Sequence, residues 1–151
     1  MGLRTNNSIL IVEDSDEDFF ITQKAFKDSH FANPIFRCTN GDDALDFLYG
    51  RGAYHSVQGV HHPALILLDL NMPGTDGREV LATIKADTSL QSIPVIIFTT
   101  SDMEQDILSC YEVGASSYIH KPVSINGFME AIKRLHGYWF ELVLLPGEKR
   151  K

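Results

Sequence analysis

Residues 65–77 read LILLDLNMPGTDG. Four apolar residues follow one another without alternation and meet Asp69. After Leu70 the chain breaks into Asn71, Pro73, Gly74 and Gly77. An apolar run with no polar intermission is how a strand reads when helices cover both faces of a parallel sheet. Asn, Pro and Gly then mark the turn that leaves it. The question is why a buried strand should exit on a carboxylate.

Working outward, PVIIFTT (94–100) repeats the pattern, and SILIVE (8–13), PIFRCT (34–39) and SSYIHK (116–121) are shorter β-rich runs. Helix-like stretches lie between them: DEDFFITQKAFKDS (16–29), GDDALDFLY (41–49), DGREVLATIKAD (76–87), MEQDILSCYEVG (103–114), and a last one from Ser124. Their apolar residues give the expected core contacts: Phe19, Phe20 and Phe26 in the first, Val80, Leu81 and Ile84 in the third, and Ile107, Leu108 and Tyr111 in the fourth. Gly114 is a helix-ending residue. Strands alternating with helices predict repeated βαβ units with right-handed crossovers. The fold class is α/β: a flavodoxin-like (βα)5 doubly wound parallel sheet, strand order 2-1-3-4-5, with an extended C-terminal segment.

A chain of 151 residues fits one domain, with a core over about 8–136 and an extension over 137–151. The net charge of −7 argues against nucleic acid as a partner. No apolar run approaches the ~18 residues that span a bilayer. MGLRTNNS has no signal-peptide core, and Asn6 stands where myristoylation wants Ser or Thr, so a cytoplasmic location with no membrane anchor is expected. Cys38 and Cys110 have no metal-binding spacing and read as small buried apolar residues. The 50–62 loop is long for an α/β connection, and its His61-His62 pair reads as solvent-facing. Asp42, Asp43 and Asp46 read as a solvated helix face.

Ligands of open α/β sheets bind at the carboxyl ends of the strands. Those ends carry Glu13-Asp14, Asp69, Thr99-Thr100-Ser101 and Lys121-Pro122. In the order 2-1-3-4-5 the first and third strands are neighbours, so Asp14 and Asp69 face each other. Close like charges raise each other's pKa unless a cation intervenes. A hard divalent ion with oxygen ligands answers that need, and Mg2+ characteristically takes one or two carboxylates with phosphate and water. Lys121 adds a point charge suited to a phosphate oxygen, and Thr99 a hydroxyl. The set suits a phosphoryl group carried on a carboxylate. An aspartate at a strand end is often only the cap of the next helix. Four such residues on one rim argue against capping alone.

Glu13-Asp14, Asp69 within LLDLNMPGTDG, Thr99 within FTTS and Lys121-Pro122 within YIHKP together resemble the receiver domain of two-component response regulators, over about residues 8–136. The resemblance implies that Asp69 is the phosphoacceptor, taking its phosphoryl group from the phosphohistidine of a partner kinase. It implies Mg2+ on Glu13, Asp14, Asp69 and the backbone carbonyl of Asn71, with Thr99 and Lys121 on the acyl phosphate. Glu13 stands where Asp is commoner. Tyr118 falls at the aromatic switch position, turning inward as Thr99 moves, and the Lys121–Pro122 bond is expected to be cis. Asn71 and Ser101 are expected to flank the path of attacking water and tune the lifetime of the phosphoryl group. The long loop, DGREVLATIKAD, FTTSD and YWFELVLLP resemble the single-domain regulators that partner cyanobacterial phytochrome-type histidine kinases.

The resulting expectation is a phosphorelay switch, with slow autodephosphorylation, rather than an enzyme. The alternative is a Mg2+-dependent aspartyl-phosphate phosphohydrolase. It would want a second carboxylate two residues after the nucleophile, where Asn71 stands. A flavodoxin-type cofactor binder would want a phosphate cradle after the first strand, where EDSDED is acidic.

In the last segment Phe128, Ile132, Leu135, Trp139 and Leu142 recur at spacings of 4, 3, 4 and 3, one helical stripe. Gly137 interrupts this helix without having to end it. Trp139, Phe140 and residues 142–145 have little sheet left to cover. Either they fold back onto the domain, or they join the fourth helix, fifth strand and fifth helix in a homodimer face, which is the expectation here. A strand over FELVLL is the remaining alternative. No output domain is expected after this segment, so output is expected through protein partners.

Overall fold

The computed structural model describes residues 8–31, 34–54, 62–142 and 145. The strands are β1 (Ile9–Val12), β2 (Ile35–Cys38), β3 (Leu65–Leu68), β4 (Val95–Thr99) and β5 (Ser117–His120). The helices are α1 (Asp16–Asp28), α2 (Gly41–Tyr49), α3 (Gly77–Ala86), α4 (Glu104–Val113) and α5 (Ile125–His136). A 3-10 turn, Gly52–Tyr54, opens the long loop, and a π-helical turn, Gly137–Leu142, continues α5. All five strands are parallel, in the order β2-β1-β3-β4-β5. The expected fold is present. His61, Val143 and Leu144 lie outside the described residues.

Successive residues of each central strand feed opposite sides of the sheet. Leu10, Val12, Ile66, Leu68, Val95 and Ile97 meet α2, α3 and α4. Ile9, Ile11, Leu65, Leu67, Ile96 and Phe98 meet α1 and α5. Period-two side chains plus two covered faces explain the unbroken apolar runs. α1, α2, α3 and α5 start on Ser15, Asn40, Asp76 and Ser124, whose side chains accept from backbone N–H groups of the first turn. Each such cap is worth about 1 kcal/mol. α4 starts on Met103 and has no side-chain cap.

Two core assignments are corrected. Phe20 is 65% exposed. It lies six residues before buried Phe26, about 240° round the helix at 3.6 residues per turn, so it faces away from α5. Leu108 and Tyr111 are 58% and 48% exposed, and Cys110 is the buried residue of α4. β5 is the edge strand, so α4 has little sheet beneath it. Asp42, Asp43 and Asp46 hold loops rather than only water: they accept from Thr75, Tyr54 and Arg51. Both cysteines are buried and unpaired by disulfide, and burial pushes the Cys38 thiol up to about 12.

The extension folds back at Phe140 and Leu145. The Phe140 ring lies 4.8 Å from Phe31 and stacks 5.7 Å from His136, and Leu145 is buried. Phe140 and Glu141 are helical, which excludes a strand starting there. His136 is buried among Phe26, Phe31 and Phe140. Burial lowers its pKa below 6.5, with Glu141 pulling the other way. The fold holds a neutral imidazole that the unfolded chain protonates more readily. Its contribution is complete above the unfolded value of about 6.5 and is lost as pH falls through that value towards the lower folded one. Melting temperature should therefore drop between about pH 7.5 and 5, and less steeply in His136→Gln. Identical slopes for the two proteins would show that His136 does not contribute.

Candidate functional site

The β1–β3 register pairs Val12 with Leu68, so the next residues, Glu13 and Asp69, emerge side by side. The Asp69 N–H donates to the Val12 carbonyl at 3.1 Å. Beyond Asp69 the chain turns at Gly74, which has φ 73°, and enters α3 at Gly77. A Cβ on Gly77 would collide with the Asp69 carbonyl oxygen and the Leu70 Cα. Only glycine lets α3 start this close behind the strand end. On the far side the Lys121 N–H donates to the Thr99 carbonyl at 2.7 Å, and this fixes the exit of β5 beside that of β4.

From there the Lys121 ammonium reaches across the rim. It donates to Glu13 Oε1 at 2.7 Å, Asp18 Oδ2 at 2.8 Å and Asp69 Oδ2 at 3.0 Å. Glu13, Asp69 and Lys121 are all buried, whereas Asp14 is exposed. Burial opposes the charge on Lys121, but its bonds to Asp18 and Glu13 and the charges of Glu13 and Asp69 outweigh it, so its pKa is raised. Burial pushes Glu13 up to about 7, with Lys121 holding it back. The ammonium is therefore firmly charged, and burial weighs on Lys121 and Glu13 alike.

Glu13, Asp14 and Asp69 each offer an oxygen, and these oxygens lie within 4.8 Å of one another. Lys121 takes one oxygen from each of the buried acids. The second Glu13 oxygen accepts from the Ser15 N–H at 3.2 Å and the second Asp69 oxygen from the Asn71 N–H at 3.3 Å. Three hard oxygen donors, two buried and one open to solvent, fit a hard divalent cation. Asn71 is exposed beside them.

Thr99 is buried, and its hydroxyl oxygen accepts from the Ser101 N–H at 3.4 Å. Tyr118 is half-buried and already turned inward. Its ring packs with the α2–α4 cluster, and its hydroxyl donates to the Ser101 carbonyl at 2.9 Å. His120 is exposed, with its ring 3.0 Å from the Thr100 carbonyl. The expected cis Lys121–Pro122 bond is corrected: no cis peptide bond occurs among the described residues, and trans is the commoner form even before proline.

Reasoning from sequence missed Asp18. Its backbone N–H is capped by Ser15 at 3.1 Å, and its carboxylate completes the Lys121 cage. The available signal was the density of acids in EDSDED, one helical turn beyond Asp14. A buried carboxylate held beside an ammonium and able to share a hard cation is an arrangement suited to a group that brings negative charge.

The family model described as the response regulator receiver domain matches residues 9–133. The response regulator Rcp1 of Synechocystis sp. is 38% identical over 138 residues, covering 91% of this chain and 92% of that protein. The crystal structure of the Mn(2+)-bound form of Rcp1 superposes with a TM-score of 0.87 at 37% identity, covering 93% of this chain and 99% of that one. The phosphorylated cyanobacterial phytochrome response regulator RcpA gives a TM-score of 0.87 at 34% identity, covering 94% and 99%.

Proposed function

We propose, from the premise that this chain belongs to the response regulator receiver domain family, that it takes a phosphoryl group from a phytochrome-type histidine kinase onto Asp69 and passes the signal on through protein contacts. The observation that carries this reading is the Lys121 ammonium 3.0 Å from Asp69 Oδ2 and 2.7 Å from Glu13. A cation already stationed at the nucleophile is what an incoming phosphoryl group requires.

Phosphoryl transfer is mostly positioning and charge neutralisation. An Asp69 oxygen attacks phosphorus, the P–N bond of the phosphohistidine breaks, and the electron pair leaves with the imidazole. Lys121 exchanges a carboxylate oxygen for a phosphoryl oxygen, and the Thr99 hydroxyl donates to another. Mg2+ held by Glu13, Asp14, Asp69 and the Asn71 carbonyl would supply further charge neutralisation when bound. Asn71 flanks the approach of water and sets how slowly the acyl phosphate is lost; the hydroxyl of Ser101, the other residue expected there, is bonded to Asp106 instead.

The signal leaves by the α4–β5–α5 face. A groove of about 580 Å3 lies there, lined by Tyr111, Tyr118, Ile119, Arg134, Tyr138 and Trp139. Met103, Leu108 and Val113 add exposed apolar surface. We assign this face to a homodimer, because apolar surface of this extent marks an interface. We place the protein in the cytoplasm; no described helix is long and apolar enough to cross a membrane.

The test is to offer the protein a panel of phosphorylated histidine kinases at equal concentration. Transfer from a phytochrome-type kinase should be the fastest, and a faster kinase without a chromophore domain would overturn the assignment. Sedimentation should show a dimer that Leu108→Asp and Tyr138→Asp each convert to a monomer. A dimer surviving both places the interface elsewhere.

A further inference from the structure

Between α3 and α4 lies a network that the phosphoacceptor chemistry does not use. Arg78 donates from Nε to Asp106 Oδ1 at 2.9 Å and from Nη2 to Asp106 Oδ2 at 2.7 Å, a two-pronged pair. Its Nη1 bonds both oxygens of Asp76, at 3.0 and 2.9 Å, and Asp76 is the residue that caps α3. The Ser101 hydroxyl donates to Asp106 Oδ2 at 2.7 Å. That oxygen of Ser101 also accepts weakly from the Met103 N–H, while the Ser101 N–H donates to Thr99 and its carbonyl accepts from Tyr118.

Two features make this network consequential. α4 lacks the side-chain cap that α1, α2, α3 and α5 have, and it buries only Cys110. Packing and capping therefore do little to fix its first turn. Every polar group of Ser101 is meanwhile committed, and its hydroxyl is held on α4 rather than free to face the phosphoryl site. Planar, bidentate Arg–carboxylate geometry gives orientation as well as attraction.

We propose that Arg78 and Asp106 form a clasp that anchors the first turn of α4 and sequesters the Ser101 hydroxyl, so that both are positioning residues for the output face and for phosphoryl lifetime. Opening the clasp loosens α4 and releases Tyr118 from its partner on the β4–α4 loop. It also frees the Ser101 hydroxyl to guide water. That water adds to phosphorus, the bond to the Asp69 oxygen breaks, and the carboxylate and dihydrogen phosphate result, with both water protons on the phosphate. The lifetime part rests on the proposed phosphoacceptor reading; the anchoring part does not.

Hydrogen exchange of the unphosphorylated chain tests the anchoring without that reading. In Asp106→Ala and Arg78→Ala, amides of residues 104–113 should exchange about tenfold faster or more, while those of β1 and β3 keep their rates. Exchanging the two residues, Arg78→Asp with Asp106→Arg, should recover part of the protection. Unchanged exchange in α4, or an equal rise throughout the chain, overturns the clasp. The second arm uses protein labelled with a small acyl phosphate. Ser101→Ala alone should change the loss of label less than twofold. Asp106→Ala should speed it severalfold, and adding Ser101→Ala should cancel that gain. A large effect of Ser101→Ala alone overturns the sequestration, and failure of every variant to label refutes the phosphoacceptor reading and leaves the exchange result to decide the anchor.

Discussion

Asp69→Asn, incubated with a small acyl-phosphate donor and divalent metal, should acquire label on the order of 10³-fold more slowly than the unaltered chain, as expected when a nucleophile is removed. The amide is nearly the same size, so the β3 exit is preserved. It carries no charge, and its oxygen is a poor nucleophile. Lys121 keeps Glu13 and Asp18 as partners, so the variant should melt close to the unaltered protein. This combination matters, because lost label in a folded protein separates the nucleophile from its scaffold. Label persisting at a comparable rate, on another acid, would end the assignment of Asp69. Rapid turnover of donor without accumulation of label would favour a hydrolase over a switch.

Lys121→Met should produce three effects of different sign. The side chain is 4% exposed and bonds three carboxylates. Methionine keeps the length and loses the charge, leaving two buried acids and the half-exposed Asp18 facing one another. Removing one partner of a buried ion pair costs about 3–5 kcal/mol, so melting temperature should fall sharply in a chelating buffer. Divalent metal should restore part of this, since it binds the folded acids and not the unfolded chain. Metal affinity should rise, because the competing cation is gone. Phosphoryl transfer should nevertheless slow on the order of 10²-fold, because an electrostatic donor to the transferring group is lost. Calorimetric titration and phosphotransfer on one preparation would show both. Unchanged stability together with an unchanged rate would mean that Lys121 neither balances the acids nor meets the phosphoryl group.

The rim was legible because a parallel sheet imposes its geometry on the chain. Once β1, β3, β4 and β5 are recognised, the residues after Val12, Leu68 and His120, and Thr99 at the end of β4, must share one edge. Asp18 was not legible in the same way. It sits on a helix, and only the packing of α1 beside the β5 exit brings its carboxylate to Lys121. Leu108, Tyr111 and Phe20 show the opposite error. Periodicity tells which face of a helix is apolar, not whether anything covers it, and at the β5 edge no described element covers α4 fully. Arg78 and Asp106 are 28 residues apart on separate helices, and no spacing rule pairs them. Beyond Gly137 the chain stays helical through Leu142, where the sequence had left a strand open as well. The partners of this extension were not foreseen, since Phe31 comes from the segment after α1 and His136 from the last turn of α5.

The chain has a single tryptophan. Trp139 lies in the groove beside the α4–β5–α5 face, with its ring 5.4 Å from that of Tyr138. The molecule thus carries its own optical probe at the spot where a second subunit would settle. A shift in emission wavelength on adding the acyl-phosphate donor could be followed in real time, with no dye attached and no other indole to confuse the signal.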